Sequence, residues 1–580
     1  MVKSILRLVG TTRTIGTVGI NRIFTIIHIQ EGDTGNGVPF FCLKYLVKFT
    51  YTHFYIHIMR KTYSALILTL LAMMPLALHA QMEMIDESVA VTANEPAPLH
   101  PVPSPRQLAW NETEFYAFFH YGPNTFLGTE WGNQKKASQL ISAYNPTQKP
   151  DPEQWLTAIK AAHMNGAIAV VKHHDGFCLW PTSTTTNCIS SCTGTYAQTD
   201  IASAFSTAAR SLGLKYGFYV SPWDANASTY GTQDYIDNVF VKQCEELAQY
   251  GSDEFEIWFD GANGGQGYYG GNSLTTKTIV NSGEDSYRGR FMYYDVPNLR
   301  YKVHSIAPNC VLWGVGAESR WIGNEDGYAD ETNWSTWYYD QESTSNQTGK
   351  EGYWLWNPGE SDAKATSGGW FWHSAETVSS AESLFKIYLE TVGRNANLIL
   401  NFPPNTAGQL PTQDVTVLSS LGSMLETRLG VGLEGTSSDP DKARKATSVT
   451  ATTTRSGGSY EASNLVDADK DTYWATDDGV TSGSITFDLG SSQTLHYVLL
   501  QEYIKKGQRV ENFNIQYSTN GSSWTTAASK VTQTTIGYKR IIPLCGSTTN
   551  SYSSGITARY IKVNITSSRA CPLLSRISIY

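Results

Sequence analysis

Two short segments put carboxylates where chemistry is expected. In Phe255-Glu-Ile-Trp-Phe-Asp260-Gly261 an aspartate follows an apolar run, and in Trp321-Ile-Gly-Asn-Glu325-Asp-Gly327 a glutamate does. A carboxylate just past a buried strand sits at the end of a barrel strand where enzymes of that architecture keep their reacting groups. Two carboxylates on two strands are the minimum equipment for cleaving a glycosidic bond, one as nucleophile or base and the other as proton donor. Glu318 and Asp326 compete with Glu325 for the second role.

Other strand-like stretches end in similar polar and aromatic residues. His120 closes one, followed by Glu130 and Trp131; His173, His174 and Asp175 close the next; Tyr219 and Ser221 precede Trp223 and Asp224; Trp258 precedes Asp260. Hydrogen-bonding groups beside flat rings suit a sugar, whose hydroxyls and C–H faces need both. The three histidines also raise a metal reading. His173 and His174 are adjacent, however, and adjacent residues of a regular strand point to opposite faces, so no metal is assigned.

The elements that must carry these residues alternate. Apolar stretches at 115–120, 167–172, 216–221, 255–259, 311–314 and 398–402 read as strands. Between them, residues 202–212 read as a helix closed by Gly213. Asp151-Pro152-Glu153 is an N-cap, a first-turn proline and a first-turn acid, opening a helix that Gly166 would end. Residues 235–250 carry Ile236, Phe240, Cys244 and Leu247 at helical spacing. This alternation predicts an α/β fold, either a (β/α)8-like barrel or an open parallel sheet, and the polar strand ends favour the barrel. From Thr436 the composition turns to Ser, Thr and Gly, with short alternating runs that read as an all-β sandwich.

The chain has 580 residues, 16 Trp and 33 Tyr, and a formal charge of -9. Its length asks for two or three domains, and its acidity argues against a nucleic-acid partner. Met59-Arg60-Lys61, an apolar run over 66–78 and Ala77-Leu-His-Ala80 read as a secretory signal, too short for a comfortable membrane span. Residues 1–58 read as a non-native upstream extension, 59–80 as the signal, 81–106 as a linker, 107–435 as the catalytic domain and 446–580 as the sandwich. After signal removal 35 basic and 50 acidic residues remain, a net charge of -15. The expectation is a secreted or periplasmic protein with no membrane partner. Seven cysteines then remain; Cys188 and Cys192 are spaced to pair locally, and an odd count leaves at least one thiol.

The motifs FFHYGPNTF from Phe118, KHHDGFCLWP from Lys172, GFYVSPWD from Gly217, IWFDGANG from Ile257, GGWFWH from Gly368 and GRNANLILNFPP from Gly393 run in order through residues 107–430. Over this span the chain resembles the glycoside hydrolase family 29 α-L-fucosidases. The resemblance implies a retaining mechanism with Asp260 as nucleophile. The Gly323-Asn324-Glu325 stretch is similar to the subgroup acting on α-1,3/1,4-linked fucose, which implies Glu325 as acid/base. It also implies His120, Glu130, Trp131, His173, His174, Tyr219 and Trp258 around the fucose ring. Trp370 and Trp372 are further candidates for the pocket or for core packing, and Arg320 for touching the substrate or bracing a carboxylate. The partners implied are fucosylated oligosaccharides or glycoconjugates. A broad α-L-fucosidase and a non-catalytic glycan-binding barrel are the alternatives.

Residues 446–580 resemble the discoidin, or factor 5/8 type C, fold, which includes family 32 carbohydrate-binding modules. The markers are the stretch from Ala462 to Trp474, Ile485 to Leu489 and Phe513 to Ser518. Many such domains hold a structural Ca²⁺, for which Asp467, Asp469 and Thr472 offer oxygen ligands. No cofactor is expected for catalysis.

Overall fold

A computed structural model describes residues 28–32, 40–44, 94–261, 293–314, 318–337, 347–431, 443–467, 469–527, 532–545 and 554–580. The signal-like segment and the domain boundary expected at 435–440 lie outside them. The chain divides into two units, Met1–Pro75 and Leu76–Tyr580. In the first, His28–Gly32 pairs antiparallel with Phe40–Lys44. Among the described residues no helix is long and apolar enough to cross a membrane.

The second unit opens on an eight-stranded sheet. Its strands are β1 (Phe115–Phe119), β2 (Gly166–Lys172), β3 (Lys215–Val220), β4 (Glu256–Trp258), β5 (Val311–Leu312), β6 (Arg320–Trp321), β7 (Gly359–Lys364) and β8 (Ala396–Asn401). They lie in the order β5-β4-β3-β2-β1-β8-β7-β6, and every pairing is parallel. The two edge strands meet through one parallel bridge, Trp313 to Ser319, so the sheet curls into a (β/α)8-like barrel with a thin seam. Helices α1 (Pro152–Lys160), α2 (Ile201–Leu212), α3 (Val241–Ala248), α4 (Val296–Ile306), α5 (Ala381–Thr391) and α6 (Thr412–Leu429) follow β1, β2, β3, β4, β7 and β8.

Local chemistry sets these elements. Asp151 caps α1 by accepting from Gln154 N, and Pro152 occupies its first turn, where a missing N–H costs nothing. The helix stops at Lys160, short of Gly166, which instead opens β2. A Cβ at Gly166 would lie 2.7 Å from Lys215 O of the neighbouring strand, so glycine permits that close approach. Asp200 caps α2 and Gly213, at φ +69°, ends it in the left-handed region. Residues 235–250 are helical but wind through a π segment, Ile236–Phe240, before α3.

Two apolar layers form. Inside the barrel, Tyr116, Phe118, Ile168, Val170, Trp258, Trp313 and Ile399 pack together. Between strands and helices, Phe119, Trp155, Phe205, Phe218 and Leu418 do. Cys178, Cys188, Cys192, Cys244, Cys310 and Cys571 are buried thiols, so Cys188 and Cys192 do not pair; a single 3-10 turn, Ile189–Ser191, separates them.

The C-terminal region is the expected sandwich, with one antiparallel sheet of five strands and another of four. The two longest strands, Gly483–Leu495 and Ile556–Ser568, pair along most of their length. Alternate residues such as Ile485, Phe487, Ile561 and Val563 fill the space between the sheets. The sandwich is fastened to the barrel beside the N-terminal ends of its strands. Lys539 Nζ bonds Glu114, one residue before β1. Tyr538 N donates to Asn395 Oδ1 (2.7 Å) just before β8, and Gln508 Nε2 to Asn333 O (2.9 Å). The stretch read as linker is docked where it is described: Leu99 N donates to Lys506 O, Arg509 Nη2 to Ala97 O and Arg455 Nε to Asn94 O. A helix, Pro105–Asn111, then leads into β1.

In the sandwich, Asp467 Oδ1 accepts from Asp469 N and its Oδ2 from the Thr472 hydroxyl. Among the described residues no group of three His, Cys, Asp or Glu that could hold a metal ion is found.

Candidate active site

A cavity of about 370 Å³ opens at the C-terminal ends of the barrel strands. The two-residue period of a strand decides which side chains reach it. On β4, Glu256, Trp258 and then Asp260 climb the barrel interior; on β7, Glu360, Asp362 and Lys364 do the same. Glu256 and Glu360 are fully buried beneath the cavity, and Asp260 and Asp362 line it.

Asp260 lies two residues past the end of β4. The Tyr219 hydroxyl donates to its Oδ2 at 3.0 Å, and His174 Nε2 stands 3.8 Å from the same oxygen. Burial, reinforced by the Asp260 charge, holds the Tyr219 phenol well above its ordinary range, so it stays a donor. Trp258 stacks on Trp313 (centroids 3.8 Å apart, 13° between planes) and on Tyr219 (5.2 Å, 20°). These rings make a flat apolar wall for a sugar face.

The hydrogen-bond chains fix the histidine tautomers. Asn401 Nδ2 donates to Trp370 O, so its Oδ1 accepts from His120 Nδ1 at 2.7 Å. The Ser221 hydroxyl donates to Trp223 O, so its oxygen accepts from His174 Nδ1 at 2.7 Å. In each ring the other nitrogen, Nε2, is left as an acceptor. Burial lowers the pKa of His120 to about 3 and pushes those of His173 and His174 down as well. The rings are therefore neutral near pH 7, and acceptor nitrogens suit sugar hydroxyls.

His173 and His174 both line this cavity, with ring centroids 4.1 Å apart. The strand ends at Lys172, after a register shift between Val170 and Lys172. The opposite-face argument of a regular strand therefore does not apply to them.

Of the three candidates for the second carboxylate, one lines the cavity. Glu325 lies in the loop after β6, its side chain half-exposed, with Oε2 3.8 Å from Lys364 Nζ. Gly323 (φ +97°) and Gly327 (φ +71°) bend that loop on either side of it. Glu318 is buried elsewhere: although burial pushes its carboxyl up, His304, Arg300 and Arg106 hold it well below the usual range. Asp326 is exposed and does not line the cavity.

Trp131 and Trp370 also line the cavity, Trp131 at half exposure, whereas Trp372 does not. Glu130 is partly exposed beside Trp131 and fixes the wall. It accepts from Trp370 N (2.6 Å) and pairs with His373 Nε2 (2.7 Å), thereby fixing the Trp370 loop. Arg320 is not at the cavity. It is fully buried, donates to Asn357 O and Asn333 Oδ1, and braces the segment after β6. Asp362 escaped the sequence reading. Its signal was the alternation of charged residues, Glu360, Asp362 and Lys364, in a stretch with no apolar run.

A family model described as alpha-L-fucosidase matches residues 101–428. The chain belongs to the alpha-L-fucosidase family. Its sandwich matches the F5/8 type C domain over residues 448–577. This fucosidase is 30% identical to alpha-L-fucosidase 1 of Arabidopsis thaliana over 507 residues, 86% of this chain and 90% of the relative. A Ruminococcus gnavus GH29 fucosidase mutant solved in complex with fucose superposes at a TM-score of 0.70 with 30% identity, covering 86% of this chain and 98% of that one. A glycoside hydrolase 29 family member from a rumen bacterium superposes at 0.66 with 31% identity, over 84% and 78% of the two chains. The fucosidase is thus a glycoside hydrolase built on the barrel, with glycans as its substrates.

Proposed function

We propose that this cavity removes terminal α-1,3/1,4-linked fucose from branched glycans by double displacement, with Asp260 as nucleophile and Glu325 as acid/base. The observation that carries the reading is that Asp260 and Glu325, alone among the carboxylates singled out as reacting groups, line the same cavity. An Asp260 oxygen forms a bond to the anomeric carbon as the bond to the leaving oxygen breaks, and Glu325 gives that oxygen its proton. Glu325 then takes a proton from water. The water oxygen bonds the anomeric carbon and frees Asp260, so the two inversions retain configuration. The Tyr219 hydroxyl aims one Asp260 oxygen, the neutral His120 and His174 accept from sugar hydroxyls, and the aromatic wall of Tyr219, Trp258 and Trp313 borders the apolar side of the ring.

The linkage rests on the Gly323-Asn324-Glu325 stretch that presents the acid/base. Comparing an aryl fucoside, a 2'-fucosyl disaccharide and a Lewis-type trisaccharide tests it; preference for the disaccharide overturns the linkage assignment. The signal-like segment over 59–80 supports action outside the cytoplasm, and a processed N-terminus at Gln81 on the exported protein would bear this out.

A further inference from the structure

We propose that Asp362 is a third substrate-facing carboxyl of this cavity, its Oδ2 taking a hydroxyl of the fucosyl ring while Trp321 fixes Oδ1. The inference builds on the reading of Asp260 and Glu325 given above. Asp362 lies on β7 between Glu360, which is sealed beneath the cavity, and Lys364 at the mouth. Trp321 Nε1 on the neighbouring β6 donates to Asp362 Oδ1 at 2.7 Å, which leaves Oδ2 for a bound molecule. A bridge from Asp326 to Ala363 ties the loop carrying Glu325 to β7, so the residue next to Glu325 is held against the residue next to Asp362. Asp362 is 5% exposed, whereas the Glu325 side chain is 50% exposed. The deeper carboxyl belongs on the side of the retained sugar, and the shallower one on the side of the leaving group.

The charges around Asp362 fit that role. Glu325 faces it from the loop after β6, Asp260 from the end of β4, Glu360 from below on its own strand, and Lys364 stands above, paired with Glu325. Burial, then the Glu325 and Asp260 charges, push the Asp362 carboxyl up to about 7. Below neutrality it carries a proton and donates to a sugar oxygen; above, it becomes a further negative charge beside Asp260.

The test uses the full chain with an aryl fucoside and a branched fucosylated glycan. Asp362→Ala should lower kcat/KM about 10- to 100-fold on both substrates, the worth of a hydrogen bond involving a charged or acidic group. A change of less than about twofold, or a loss confined to the branched glycan, overturns the proposal. Asp362→Asn keeps the shape and the Trp321 bond, so it remains informative if the alanine variant folds poorly. It should lose the fall in activity that the parent shows above neutral pH, and a pH profile identical to the parent's overturns the proposal. Asp260→Asn is assayed alongside. If it stays active, the reading of the reaction site fails; if it is inactive while Asp362→Ala is unimpaired, only the present inference does.

Discussion

The indole N–H of Trp258 ends on Oε1 of Glu360, 2.7 Å away. A wall of the sugar cavity therefore hangs from a carboxyl in the sealed layer beneath. Tyr116 donates to the other Glu360 oxygen, and Trp110 Nε1 holds Glu256 Oε2 at 3.0 Å. Burial raises both carboxyls above their ordinary range, so the pair keeps protons that an unfolded chain gives up.

That pair makes stability depend on pH with a definite sign. A carboxyl raised in the folded state binds protons that the unfolded chain releases above its value near 4.5. The stabilisation is full below that value and is lost as pH rises through the folded-state values. Between about pH 5 and about pH 8, Glu360→Gln should lose less stability than the parent, by about 1–3 kcal/mol. Denaturant midpoints at the two pH values measure it, and equal losses would show that Glu360 keeps no proton in the folded chain.

Asp260→Asn should abolish turnover, with a fall in kcat of at least about a thousandfold, while melting like the parent, because the side chain is partly exposed and replaces no packing. Full activity in this variant would sink the nucleophile assignment.

Glu325→Gln should separate substrates by leaving group. Release of a natural sugar needs the proton, so kcat/KM should fall about 100- to 10,000-fold, whereas an activated aryl fucoside should lose far less in the first step. An equal fall on both would place the acid elsewhere.

The three cavity histidines should stay neutral across the working range. Burial sets His120 at about 3 and lowers the other two. The unfolded chain takes up protons below about 6.5, so these residues weaken the fold as pH falls through that value rather than strengthening it. Ring-proton NMR of the folded enzyme should show no titration of the three between about pH 6 and about pH 8. A midpoint near 6.5 for His120 would contradict the buried tautomer chain through Asn401.

At the junction with the sandwich, Glu114 and Lys539 are both buried, and burial moves Glu114 up and Lys539 down, each toward its neutral form. Removing one partner strands the other, so Lys539→Met should cost about 3–5 kcal/mol, and adding Glu114→Gln should restore part of it. Additive losses in the double variant would show that the two do not interact.

Much of the site could be read from the sequence because its residues sit at the ends of apolar strands. Asp260, Tyr219, Trp258 and His120 each close an apolar run, and the run announces the strand. β7 gave no such warning. Its inward residues, Glu360, Asp362 and Lys364, face a carboxyl pair and a cavity rather than an apolar core, so Gly359–Lys364 carries no hydrophobic signal. β6, only two residues long, offers no period to detect. Arg320 looked like a ligand residue because an arginine beside a carboxylate loop can be one; its full burial between Asn333 and Asn357 is visible only in three dimensions. Glu130 bonds Trp370 and His373 some 240 residues away in the chain, a distance no local pattern spans.

The sandwich grips the barrel through Glu114, Asn333 and Asn395, at the end remote from the cavity, and the 94–99 strap laces the two together. It is thus a foundation stone rather than an interchangeable accessory. Shortening the gene before Thr436 would strip the barrel's underside of its cover and take the Lys539 cation from Glu114, so such a truncate would fail in the test tube for reasons unrelated to sugar targeting. Engineering of specificity in this enzyme must spare the segment after β6, which presents Glu325 at the cavity and Asn333 at the joint.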